Sequence, residues 1–440
     1  MTVRFSRIRF NALYLFLYFI FTTFITQLFA QSPKEIAIKD VEYLTSPELM
    51  GRGYSNKGHI LAAQYIESRF QEIGLENFDH DYMQTFKMKV NYFKAEPELT
   101  VNGTALTLGE DFLPYCMSGS GEIQNHSGVV LAGNGLMIPQ KNLNDYQGVN
   151  VAGAILLVEG KIPNILKKVK KLEKNDYSYA SRADVATVLG ARAMIILVDK
   201  LTYGKPNIAK NIPIFEVLTS AFPPNVETVS YSVKSKFKNV KTQNVVGYLP
   251  GKFKSDSTII ITAHYDHIGG FSENVYFPGA NDNASGVALL LCLAEHFKKN
   301  PLKHGILFVA FSGEEVGLKG SQYFAEHSPV KLNEVKFLIN LDMVASGESG
   351  IVAMGGEDLP EYYTILKAVN DSLGLGELGK RPHTPISDHY PFVEKGVKGF
   401  YLYTNDGKQP YHHIDDKPET LEWDDFLNTF ELTKHFLRQL

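Results

Sequence analysis

Two cysteines, Cys116 and Cys292, are all that 440 residues provide, too few for a disulfide scaffold even in an exported chain. Cys292 lies in the apolar run ALLLCLAEHF, which reads as a buried helix, so a free thiol is expected there. Cys116 sits in the loop-like LPYCMSGSG, and a bridge between the two is the other arrangement open to them. The chain also lacks an acidic or basic tail, and its formal charge is only −4; nothing argues for a nucleic-acid partner. No repeat or low-complexity segment stands out. The 44% hydrophobic and 21% charged residues are ordinary for a soluble globular protein, and the length allows two or three domains.

The N-terminus departs from that texture. MTVRFSRIRF carries Arg4, Arg7 and Arg9, and the uncharged ALYLFLYFIFTTFITQLFA follows. A basic start, an apolar core and a small residue, Ala30, before Gln31 read as a signal peptide over 1–30. The chain is then expected to be exported, periplasmic or extracellular, with no stable membrane partner. The rival reading is a retained anchor, since the run is near the lower limit for spanning a bilayer. No cysteine follows it, which removes bacterial-type lipidation at that point. Cleavage, which takes away three arginines and no acid, would move the formal charge from −4 to −7.

Beyond the leader, residues 31–87 read as a short helix (KEIAIKDVEYL), a Gly-Arg-Gly turn, and a second helix (HILAAQYIESRFQEI) stopped by Gly74. Residues 88–241 change character. Short strand-like pieces (SGVVLAG, VAGAILLVEG, ARAMIILVD, IPIFEVL) are separated by Gly, Pro and Asn, with one helix, SRADVATVLGA, among them. This pattern is expected of an inserted β-rich α+β domain. Its basic run LKKVKKLEK reads as a solvated helix face. Residues 242–440 alternate apolar strands (STIIITA, HGILFVAFS, VKFLINLDM, KGFYLYTN) with helices (ASGVALLLCLAEHFKK, LKGSQYFAEHS, EYYTILKAVNDSLG). That alternation predicts an α/β fold with a mostly parallel mixed sheet covered by helices on both faces. Ligands of such sheets bind beyond the carboxyl ends of the strands.

Those ends are where His and acids collect. His264 and Asp266 follow IIIT, Glu314 and Glu315 follow LFVAF, and Asp342 follows FLINL. Tyr411, His412, His413, Asp415 and Asp416 come after FYLY, and Asp282 opens a helix in GANDNASG. One such residue is ordinarily a cap. Carboxylates from several segments on one rim would repel and carry raised pKa values unless a cation held them. Two histidines and three carboxylates without cysteine suit zinc, with cobalt or manganese as substitutes. Five ligands exceed one catalytic tetrahedral site and fit two metals sharing a carboxylate. In the Glu314-Glu315 pair one residue can bind metal while the other serves as general base.

The motifs around His264-x-Asp266, GANDNASG, SGEEVGLKGS, NLDM, SDHYPF at Asp388 and YHHIDDKPE resemble the co-catalytic di-zinc aminopeptidase family, bacterial secreted leucyl-type enzymes included. The match runs over roughly 240–440. LMGRGYSNKGHILAAQYIESRFQEIGLE resembles the family's first helix region, and the insert resembles its protease-associated domain. The resemblance implies a zinc-exopeptidase fold and two Zn²⁺ per chain, with Asp282 bridging, His264 and Asp342 at one metal, and Glu315 and His412 at the other. It implies Glu314 as general base and Asp266 as the acceptor that orients the His264 ring. Family spacing selects His412, with Asp416 four residues on, over His413. His267 and His389 gain no metal role. Where some relatives place a carbonyl-polarising tyrosine, this chain has Thr384, beside His383.

The activity implied is hydrolysis of the N-terminal bond of peptides with a free N-terminus. A carboxypeptidase or dipeptidase of the same family is the alternative; the 18 positions from His264 to Asp282 favour an aminopeptidase, since carboxypeptidase-type relatives have a shorter connection. A non-catalytic receptor-like protein of this fold is a further alternative, opposed by the full ligand set. Glutaminyl cyclase-like chemistry is opposed by His264.

Overall fold

The computed structural model describes residues 32–78, 80–253, 257–347, 350–404 and 410–440. The leader or anchor expected over 1–30 lies outside them. Among the described residues no helix is long and apolar enough to cross a membrane.

An eight-stranded sheet forms the centre. Its strands are β1 (Met83–Phe93), β2 (Ser235–Leu249), β3 (Thr258–His264), β4 (Gly305–Phe311), β5 (Val335–Leu341), β6 (Ile351–Met354), β7 (Leu378–Arg381) and β8 (Gly399–Thr404), in the order β1-β2-β4-β3-β5-β8-β6-β7. The neighbours β4, β3, β5 and β8 run parallel, whereas β1/β2, β2/β4 and β8/β6 are antiparallel. The sheet is therefore mixed with a parallel centre, as the strand–helix alternation predicted.

Residues of the central strands feed two cores. Ile259, Ile261 and Ala263 of β3, with Phe308 of β4 and Ile339 of β5, pack in the core that also takes Leu290 and Phe297 of helix Gly286–Lys299 and Phe430 and Phe436 of helix Trp423–Leu437. Ile260, Leu307, Val309 and Leu338 face the opposite layer with Phe324, Phe392 and Val397. Burial on both faces explains why these strands are continuous aliphatic runs. Truncating Ile261, which is fully buried, to Ala should cost about 2–5 kcal/mol.

Between β1 and β2 the chain builds separate sheets. Three parallel strands, Ile155–Glu159, Ala193–Val198 and Ile214–Leu218, lie in a five-stranded sheet, and Glu98–Val101 and Val229–Val233 in a four-stranded one. They share their own apolar core, joined at one edge by Phe277. β1 and β2 pair residue for residue from Met83–Val245 to Phe93–Ser235. The limits expected at 88 and 241 thus fall within one ladder of the large sheet, and the separate elements start at Glu98. The basic run is helical only over Asn164–Val169. Cys116 and Cys292 are free, buried thiols.

Candidate metal centre

The parallel strands end on one rim, and the loops leaving them are held by polar side chains. The sharpest is GANDNASG. Gly279 takes φ +63°, and a Cβ there would meet the Asp282 carbonyl oxygen and the His267 ring at 2.4 Å, so glycine is required. Arg52, fully buried, donates to the carbonyls of Leu44 (2.7 Å), Tyr265 (2.8 Å), Pro278 (2.7 Å) and Gly279 (2.7 Å). Burying a guanidinium without such partners would cost several kcal/mol; here it ties the end of helix Pro33–Leu44 to the loops after β3. The carboxylate of Asp416 accepts from the backbone N–H of Asn281 (2.8 Å) and of Asp282 (3.0 Å).

So fixed, Asp282 points one oxygen each way. Its Oδ1 lies 3.3 Å from His264 Nε2, which lies 3.3 Å from Asp342 Oδ1. Its Oδ2 lies 3.2 Å from His412 Nε2, which lies 3.1 Å from Glu315 Oε2. Ligands bonded tetrahedrally to zinc at about 2.0–2.2 Å stand about 3.3–3.6 Å apart; the separations around His264 match that spacing and those around His412 are slightly tighter, as expected of the donor atoms of two groups sharing Asp282. All five residues are buried, and the His412 Nε2 atom has no hydrogen-bond partner. The residues fit zinc.

Among the described residues, two groups of potential ligands have donor atoms within 4.8 Å of one another: His264–Asp282–Asp342 and His267–Asp282–Glu315. The second brings in His267, to which the sequence pattern assigns no role. Its Nδ1 is 2.8 Å from Glu315 Oε1 but 4.0 Å from Asp282 Oδ2. His412 is nearly equidistant from both carboxylates and is the better placed ligand, while His267 holds the other oxygen of Glu315. His413 turns away toward Asp415 at 3.3 Å and is partly exposed.

One expected contact is corrected. The His264 ring nitrogen Nδ1 pairs with the backbone carbonyl of Asp266 at 3.1 Å, and the Asp266 carboxylate is 3.9 Å away. That carboxylate instead accepts from the backbone N–H of Glu314 (3.2 Å) and Glu315 (3.3 Å) and from the Tyr54 hydroxyl (2.8 Å). Two successive amides can reach one carboxylate only when the chain turns there, so Asp266 orients His264 through its main chain and shapes the acidic turn through its side chain.

The adjacent glutamates differ in charge behaviour. Burial and the neighbouring Glu315 push the Glu314 carboxyl well above its usual range, with His264 and Lys205 opposing. Burial also works against ionisation of Glu315, but His412 and His267 outweigh it and hold that carboxyl low. The two adjacent carboxyls are thus pushed in opposite directions. Asp342 is fixed by a relay in which Thr262 donates to Asn340 (2.7 Å), Asn340 to Ser387 (2.8 Å), and Ser387 to Asp342 Oδ2 (2.6 Å). Asp388 is fully buried, its carboxyl pushed up to about 7 by burial. The His383 and His389 rings stack at 5.5 Å and belong to neither ligand group.

The chain between β1 and β2 also reaches the rim. The carbonyl of Tyr203 lies 2.6 Å from His412 Nδ1, and Lys205 Nζ lies 3.6 Å from Glu314 Oε1. LTYGKPN carries no motif that would have announced this. Arg52 was visible only as a charge within a glycine turn.

Residues 244–437 match the model of Peptidase family M28. The chain is 29% identical over 355 residues to aminopeptidase YwaD of Bacillus subtilis, covering 75% of this chain and 71% of that protein. It is 25% identical over 322 residues to the probable lipoprotein aminopeptidase LpqL of Mycobacterium tuberculosis, covering 70% of this chain and 57% of that one. The structure of BSAP, a zinc aminopeptidase from Bacillus subtilis, superposes with a TM-score of 0.69 at 23% identity, over 92% of this chain and 94% of the other, a likeness of fold.

Proposed function

Because the chain belongs to peptidase family M28 and is a zinc-dependent hydrolase, we propose that it removes N-terminal residues from peptides at a two-zinc centre on this rim. The observation that carries the reading is Asp282, whose two carboxylate oxygens each face a histidine and a second carboxylate. His264, Asp282 and Asp342 would hold one zinc, and Asp282, Glu315 and His412 the other. Zinc bound there supplies Lewis acidity, lowering the pKa of water toward about 7 and polarising a carbonyl.

The chain's own residues do the rest. Glu314, next to a ligand and not itself one, takes the proton of the attacking water and passes it to the leaving nitrogen. The Asp266 carboxylate holds the turn that separates Glu314 from Glu315, and its carbonyl fixes the His264 tautomer. Tyr203 does the same for His412 from the segment between β1 and β2, which supports reading that segment as a protease-associated-like domain that completes the site. Export is supported by the N-terminal sequence and by the lipoprotein relative, and peptides with a free amino group are the expected partners.

Hydrolysis of leucyl, alanyl and glutamyl dipeptides, free and N-acetylated, with and without a chelator, tests the reading. Cleavage of the free peptides alone, abolished by chelation, is expected. Cleavage of the acetylated forms would point to a carboxypeptidase, and no cleavage at all to a binding protein.

A further inference from the structure

Lys205 stands out at the rim. Among the described residues it is the one lysine or arginine whose charged group comes within 4.0 Å of the carboxylate of Asp282, Glu314, Glu315 or Asp342. Arg52, the other nearby cation, is fully buried and bonded to carbonyls. The Lys205 side chain is 39% exposed against 8% for Glu314, so the ammonium stands at the mouth, on the solvent side of the base. Its backbone is pinned on both sides: Tyr203 exchanges contacts with His412 (2.6 and 3.4 Å), and the Pro206 carbonyl accepts from Asn91 N–H at 2.8 Å. A lysine left to wander on a loop would not be held over the base in this way.

We propose that Lys205 recognises the α-carboxylate of the leaving residue, so that free dipeptides are the preferred substrates. The inference rests on the reading of Glu314 as proton donor to the leaving nitrogen. That nitrogen must then come within about 2.6–3.2 Å of Glu314. In a dipeptide the carboxylate carbon is two bonds further on, about 2.5 Å from the nitrogen. An ammonium 3.6 Å from Glu314 can therefore meet the carboxylate while the nitrogen faces the base. In a longer peptide a neutral amide occupies the same place and leaves the charge without a partner. The plainer role, offsetting the surplus of acids in the site, would affect every substrate alike.

The metal-loaded full chain should be assayed on Leu-Gly, Leu-Gly-amide and Leu-Asp-amide, as wild type, Lys205→Met and Lys205→Arg, with zinc content and circular dichroism controlling for folding. The wild type should favour Leu-Gly over its amide in kcat/KM by about tenfold or more, as expected of one charge-assisted hydrogen bond, chiefly through KM. That ratio should fall to about unity in Lys205→Met and recover in part in Lys205→Arg. A wild-type ratio of one, or a ratio that survives in Lys205→Met while all rates drop together, would overturn the proposal. A preference for Leu-Asp-amide over Leu-Gly would place the recognised charge on the side chain and overturn the α-carboxylate assignment. Failure to cleave any of the three would instead refute the aminopeptidase reading beneath it.

Discussion

Two sets of parallel strands in this chain finish differently. β3, β4 and β5 lead into His264, Glu314 with Glu315, and Asp342, all turned inward and buried. Strands Ile155–Glu159 and Ala193–Val198 lead into Glu159 and Asp199, which face water, and Arg182 closes that edge by donating to the carbonyls of Asn134, Glu159 and Gly160. The one carboxylate buried among residues 98–233 is Glu216. It has no cation in hydrogen-bond contact, one of its oxygens is unpartnered, and burial pushes its carboxyl up to about 8. An isolated buried acid thus resolves its desolvation by keeping its proton. The rim acids cannot all do so, because Asp282 and Glu315 are held ionised by the imidazoles around them. Parallel strands alone therefore do not make a site; the inward cluster that needs a cation does.

The contrast is most sharply broken by removing that cation. Chelation should abolish peptide hydrolysis, with added Zn²⁺ restoring it; activity that survives full zinc removal, verified by elemental analysis, would end the argument from charge. Glu314→Gln should lower kcat by about 10²–10⁴-fold with zinc content unchanged, since this side chain is not among the ligands.

His267→Phe removes the group that holds Glu315 Oε1. Loss of such a partner typically weakens metal binding about 10–100-fold, and competition with a chelator should show the weakening for one zinc and not the other. The last effect, on stability and not on the rim, lies in the other sheet. The folded Glu216 carboxyl is protonated up to about pH 8, the unfolded one only to about 4.5. The folded state therefore binds the extra proton between these values, and stability falls as pH rises, by at most about 1.4 kcal/mol per unit. Denaturant unfolding of Glu216→Gln should match wild type near pH 4.5 and exceed it at pH 8; parallel curves would show that the buried acid is not neutral in the fold.

What the sequence made legible follows the same division. Strand-end residues sit beside aliphatic runs, so the alternation of strands and helices alone places His264, Asp282, Asp342 and the glutamate pair on one rim. His412 needed the family spacing, because its neighbour His413 is chemically identical and only the fold turns one ring inward. The partners that arrive from far along the chain were not visible. Arg52 acts through main-chain carbonyls more than 200 residues away, and such contacts leave no local pattern. Tyr203 contributes a carbonyl, which any residue could offer. The ladder of β1 and β2 was cut short for a related reason: an edge ribbon of mixed polarity, such as MQTFKMKVNYF, does not look like the buried strands of the centre.

The central claim is that Asp282 joins two zinc sites, and zinc per chain in wild type and in Asp282→Ala tests it most directly. Wild type is expected to hold two equivalents, and Asp282→Ala, which takes a ligand from both sites, less than one. A wild type that saturates at one equivalent, or a variant that still holds two, would contradict it.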